Sequence, residues 1–281
     1  MIVGVAALVL GFAWLYAETA SGVFAEWISS PDASYGLVLA VVAVAVMWRR
    51  RHEFVRAVDG TASPWSGGCV LLGGLILFGI GQLGADIFLT RISLVAVLAG
   101  AVWFLAGWRA VRVITAPLMF LLVAVPLPAL VVNAVTLPLQ LIASRVAATM
   151  IEAAGIPVFR DGNILELPST TLAVAQACSG LRSLISRAAI GGVLAWMHTG
   201  WARRLTIVLA SVPIAIATNS LRIAVTAAAC EYWSPRAAAD PWHTVAGWLT
   251  FVVGVALLLQ VPRWSTLGDR RARWRAQVVH A

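Results

Sequence analysis

Lysine is absent from the 281 residues, and charge of either sign is scarce, with Asp, Glu, Lys and Arg together making up 11%. So little charge cannot cover a soluble globule that is 61% apolar. Cysteine is nearly as rare: Cys69, Cys178 and Cys230 show no C-x-x-C spacing, which excludes a thiol zinc cluster and a disulfide-dense scaffold. Internal repeats, low-complexity tracts and phosphate-binding glycine motifs are also lacking. No cofactor and no metal is expected.

What the chain does have is long apolar runs and a mean hydropathy of +0.91. A helix needs roughly 18–20 apolar residues to cross a ~30 Å hydrocarbon layer. The runs predict an all-α polytopic membrane protein of about eight transmembrane helices, at 2–22, 35–48, 66–84, 91–107, 113–132, 179–198, 205–229 and 243–262, forming a single integral membrane domain over 1–281. The first run lacks a basic leader and reads as a retained helix instead of a cleaved signal. The second is short but ends in Trp48-Arg49-Arg50-Arg51, an aromatic anchor followed by a stop-transfer cluster.

The net charge of +8 would suit nucleic acid, but the basic residues are all Arg and most stand in short clusters between apolar runs. That is the positive-inside pattern, so the expected partner is the lipid bilayer and not nucleic acid. Arg49 to Arg51 with Arg56, Arg109 with Arg112, Arg203 with Arg204, and the basic tail 263–281 fall in alternate loops. Those loops are expected in the cytoplasm, with both termini, of a cell (inner) membrane protein. Glu26, Asp32, Asp86, Glu152, Asp161, Glu166, Glu231 and Asp240 fall on the opposite side.

The longest outer segment, 133–177, is predicted as a helix-plus-hairpin insertion. Gln140, Ser144, Arg145, Thr149 and Glu152 form a polar stripe on an apolar cylinder, which suits a helix lying on the membrane surface or capping the bundle. The turn-like Arg160-Asp161-Gly162-Asn163 between Ile156-Pro157-Val158-Phe159 and Ile164-Leu165-Glu166-Leu167 predicts a small β-hairpin.

Three places could carry chemistry. Cys178 precedes Ser179-Gly180-Leu181-Arg182 where the sixth membrane helix is expected to begin. Unpaired N–H groups, the positive end of the helix dipole and Arg182 one turn on would favour a thiolate. The alternatives are a small apolar residue or a disulfide to Cys230. Asn219 and Arg222 share a face inside an apolar helix, and a central arginine costs at least ~2.5 kcal/mol unless it faces a cavity or partner. Snorkelling of Arg222 to the headgroups is the alternative there. His243 follows Asp240-Pro241-Trp242, with Asp240 suited to the N-cap and Pro241 to the first helical position. Such a histidine can act as acid or base, or simply anchor the interface. Because the last three helices alternate in direction, Cys178, Arg222 and His243 approach one face, which suits acyl transfer.

On these residues the chain resembles the exosortase/archaeosortase family over roughly Ala116 to Phe251. The landmarks are Val125-Pro126-Leu127-Pro128, Gly155-Ile156-Pro157-Val158, Gly162-Asn163-Ile164, Ala177-Cys178-Ser179-Gly180-Leu181-Arg182-Ser183-Leu184, Pro213-Ile214-Ala215 leading to Asn219-x-x-Arg222, and His243 followed by Gly247. The resemblance implies a membrane cysteine transpeptidase or protease with Cys178 as nucleophile, Arg222 as an essential arginine and His243 as third catalytic position. Ser179, Arg182, Asn219 and Asp240 would support them. It implies protein substrates with a C-terminal sorting tail, made of a short polar motif that is Pro-Glu-Pro-like in many relatives, one transmembrane helix and a basic cluster. The acyl group would pass to an amine or lipid acceptor, or to water. Near the first outer loop the family often has a Tyr-Ser-His-Gly-like stretch, where this chain has Ser34-Tyr35-Gly36. The rival reading is a transporter or polysaccharide-export component whose Arg182 and Arg222 bind an anionic substrate. It lacks the broken helices and inverted repeats that favour carriers.

Overall fold

The computed structural model describes residues 2–30, 33–58, 64–174, 181–239 and 241–279. The chain divides into two compact units, Met1–Pro128 and Ala129–Ala281. Among the described residues six helices are long and apolar enough to cross a membrane, and two shorter apolar helices accompany them.

The first unit holds α1 (Ile2–Ser29), α2 (Tyr35–Arg49), α3 (Arg51–Ala57), α4 (Pro64–Leu83) and α5 (Ile87–Ala124). Gly67, Gly74 and Gly81, seven residues apart on α4, pack against the backbone of Phe104, Val97 and Thr90 so closely that a Cβ would collide. Small residues let membrane helices approach this way, and the order of the contacts makes the pair antiparallel. Helix α5 breaks at Gly107, where φ 84° and ψ 170° suit only glycine. Beyond the break the helix folds back. Arg91 in its first half pairs with Glu26 at 2.7 Å, and the carbonyl of Ala124 at its far end accepts from Trp27 Nε1 at 2.9 Å. Both ends of α5 therefore meet the same turn of α1, and one helix supplies the two passes expected at 91–107 and 113–132. The second pass stops at Ala124 and not at 132, because Pro126 and Pro128 cannot continue it.

The second unit holds α6 (Ala129–Ala153), a three-stranded antiparallel sheet of β1 (Phe159–Asp161), β2 (Ile164–Glu166) and β3 (Thr171–Ala173), then α7 (Leu181–Met197), α8 (Trp201–Tyr232), a 3₁₀ turn (Pro235–Ala238) and α9 (Trp242–Val279). Asp161 faces Ile164 across a two-residue turn, and Gly162 supplies its positive φ of 59°. The expected hairpin is present, with β3 as an unforeseen third strand. Ser144 Oγ donates to the Gly162 carbonyl at 2.9 Å and Asn163 Nδ2 donates to Gln140 Oε1 at 3.4 Å, fastening the sheet along α6. The predicted polar stripe is therefore two faces, with Gln140 and Ser144 buried beneath the sheet and Arg145, Thr149 and Glu152 exposed.

Helix α6 is long enough to span, but the sheet packed on its middle has open edges, which hydrocarbon does not tolerate. Helix α6 and its sheet cap the C-terminal half of α8, and α5, turning back at Gly107, supplies two passes. Under the cap, Ala143, Ala147, Ile151, Leu165 and Val174 form one apolar cluster with Ile223, Ala224 and Ala227 of α8. Glu231 Oε2 also accepts from the Ser169 amide at 3.2 Å, so the sheet and the C-terminal end of α8 lie at one end of this unit. Helix α8 is central: 44% of its most apolar window is buried, against 11–28% for the other long spans. Trp201 at one end, and Tyr232 and Trp233 at the other, are exposed in the manner of interfacial belts.

Candidate active site

Helices α7 and α9 each pack antiparallel against α8, joined to it by short connections, so the start of α7, the end of α8 and the start of α9 share the capped end of the unit. Cys178, Ser179 and Asp240 lie outside the described residues. Helix α7 begins at Leu181, with Arg182 in its first turn. The amide of Val245 donates to the carbonyl of Pro241 at 3.0 Å, which makes Pro241 the N-cap of α9 and Trp242 its first helical residue. That is one residue later than the sequence suggests. His243 follows in the first turn, four residues before Gly247.

Arg222 is half-buried on α8, immediately before the Ile223 and Ala224 that pack under the cap. Its guanidinium reaches across to α9: a Cβ at Gly247 would stand 3.3 Å from Nη1. Arg222 therefore meets α9 one turn along the helix from the position of His243. Asn219, one turn deeper on α8, is 5% exposed. Thr218 spends its hydroxyl on the carbonyl of Ile214 at 2.7 Å, and Ser220 is fully buried with no partner for its Oγ among the described residues. Polar side chains thus concentrate on the stretch of α8 next to Arg222. Cys230 is buried eight residues further on, with its thiol directed at the Pro235 carbonyl, 3.8 Å away.

Sequence reasoning missed Arg187. This side chain is 1% exposed inside α7 and donates from Nη2 to the Thr250 carbonyl at 3.0 Å, with its guanidinium 5.3 Å from the Phe251 ring centroid. Gly254 provides the notch, because a Cβ there would overlap Nε and lie 2.9 Å from Cζ. Gly247 and Gly254 are two turns apart on one face of α9, so one glycine stripe seats two arginines. The signal was available, since an arginine within an apolar run is as costly at 187 as at 222. Among the described residues no group of His, Cys, Asp and Glu is placed to hold a metal ion.

These features define a multi-pass membrane protein whose second unit seats two arginines against one glycine-bearing face of α9. The transmembrane exosortase family matches residues 27–260, which is most of the chain, and the protein belongs to that family. Comparison with curated proteins and with solved structures returns no match.

Proposed function

We propose that the protein processes secreted proteins bearing a C-terminal sorting tail, by acyl transfer through Cys178. The observation that supports this reading best is the seating of Arg222 against Gly247, one turn from His243, in a chain of the exosortase family. In the proposed cycle His243 takes the thiol proton and the Cys178 thiolate attacks the scissile carbonyl. Arg222 stabilises the oxyanion, a contribution of about 3–4 kcal/mol for one donor in well-studied hydrolases. Collapse breaks the C–N bond, His243 returns the proton to the departing amine, and the tail leaves while the substrate stays on Cys178 as a thioester. An amine acceptor or water then completes transfer or hydrolysis. Arg182, Ser179, Asn219 and Asp240 serve as supporting residues.

The arginine distribution supports an inner-membrane orientation in which 203–204 and the tail beyond 263 are cytoplasmic and the capped end faces outward. Reporter fusions at Arg204 and within 161–170 test this, and a cytoplasmic signal from 161–170 would refute it. The function is tested by co-expressing a secreted reporter carrying a Pro-Glu-Pro motif, an apolar helix and an arginine cluster. Wild-type protein removes the tail, and Cys178→Ser leaves the reporter intact. Unchanged tail removal by Cys178→Ser would end the acyl-transfer reading.

A further inference from the structure

The first unit contains a groove of about 460 Å³ that none of the proposed catalytic residues lines. Its walls come from the end of α2, from α3 and from both halves of α5, and include Ala43, Met47, Phe54, Leu98, Val102 and Leu118. The lining is apolar apart from Arg51, which contributes its alkyl stem and carries its guanidinium to the rim. There Arg51 stacks 4.7 Å from the Trp48 ring centroid and donates from Nη1 to the Trp48 carbonyl at 2.9 Å, on an exposed side chain. These contacts hold a cation at the mouth of a hydrocarbon-lined slot.

Charge around the mouth is predominantly positive. Glu53 is the one acid on α3, and Arg50 engages it at 3.1 Å. Arg50 also donates to the Val113 carbonyl at 3.0 Å, which brings the start of the second half of α5, with Arg109 and Arg112, to the same end as Arg49, Arg51 and Arg56. Size narrows the occupant. At about 460 Å³ the groove falls within the range of small-molecule ligand pockets. Basic clusters beside a membrane span attract anionic headgroups.

We propose that this groove is a binding site for one anionic phospholipid of the adjoining leaflet, with an acyl chain in the slot and the phosphate at Arg51. The site is independent of the acyl-transfer reading, being assembled wholly from first-unit residues. It gives that unit a lipid-reading role, not merely a spanning one.

The test uses the purified full chain in detergent, incubated with equimolar phosphatidylglycerol and phosphatidylcholine of identical chains, repurified and examined by native mass spectrometry. The wild type retains phosphatidylglycerol in roughly fivefold excess, the factor expected from one arginine near an anionic headgroup. Arg51→Gln removes that excess, while Arg145→Gln, on the exposed face of α6, keeps it. Leu98→Trp fills the slot and lowers retention of both lipids. Equal retention of the two lipids by the wild type would overturn the proposal, as would an undiminished excess in Arg51→Gln or a lipid-free dimer occluding the groove. Arg51 is exposed, so its variant decides the matter even if Leu98→Trp fails to fold.

Discussion

Among the described residues the first unit buries two polar side chains, Thr90 and Ser93, whereas the second buries eight: Thr136, Gln140, Ser144, Arg187, Ser211, Thr218, Asn219 and Ser220. Both units use glycine for close approach, but to different ends. On α4 the glycines admit the backbone of α5, and on α9 they admit the side chains of Arg187 and Arg222. Close backbone approach between apolar helices makes a scaffold, because dispersion and shape suffice to hold it. A notch filled by guanidinium keeps charge inside the membrane against a steep insertion cost, which proteins sustain chiefly where the charge has work to do. The contrast agrees with the proposal that the chemistry belongs to the second unit.

The largest expected effect that could break this contrast is on activity. Arg222→Ala lowers tail processing by roughly 10²–10³-fold, the range for loss of one preorganised donor, with abundance in the membrane unchanged. Arg91→Ala removes the ion pair with Glu26 in the first unit and stays within about twofold, as partly exposed pairs contribute little. Immunoblots of the reporter substrate read both, and loss of processing in Arg91→Ala at normal abundance would show that function is not confined to the second unit.

Next in size is packing. Gly254→Val drives a side chain into Arg187 and destabilises the protein by about 1–3 kcal/mol, measured by thermal unfolding in detergent. Adding Arg187→Leu recovers most of that loss, because the obstructing group is a side chain. Gly74→Val in the first unit meets the Val97 backbone, so shortening its side-chain neighbour recovers little. Gly247→Ala sharpens the point: the end of Arg222 can yield at 3.3 Å, so stability changes by less than about 1 kcal/mol while processing falls about tenfold through displacement of the guanidinium. The smallest effect belongs to Tyr16→Phe, which removes the 2.9 Å bond to Ser93 Oγ. About 0.6 kcal/mol of stability is lost, the average for membrane hydrogen bonds, and processing is untouched.

Much of this was legible in the sequence, and the gaps have physical causes. Apolar run length fixes passes, so α2 and α4 lie within about two residues of expectation. Hydropathy splits α5 into two runs parted by Arg109 and Arg112, whereas the chain reverses at Gly107, a backbone event to which hydropathy is blind. The pattern of the cap helix shows one polar stripe because its polar residues recur at helical spacing. Only the sheet decides that Gln140 and Ser144 are inner and Arg145 outer. Arg222 stood out through its companion Asn219, while Arg187 had no such neighbour and its notch lies 67 residues away at Gly254. Nothing local marks a cavity whose walls come from different helices.

The central claim is that Cys178 carries the substrate as a thioester, and the most direct measurement is to catch it there. A tagged tail-bearing substrate is incubated with membranes containing the protein, quenched in acid and digested, and the peptide spanning Cys178 is examined by mass spectrometry. The account predicts a substrate fragment on Cys178 that neutral hydroxylamine releases, absent from Cys178→Ala and present in Cys230→Ala. A hydroxylamine-stable adduct, an adduct on Cys230, or tail removal by Cys178→Ala with no adduct would contradict it.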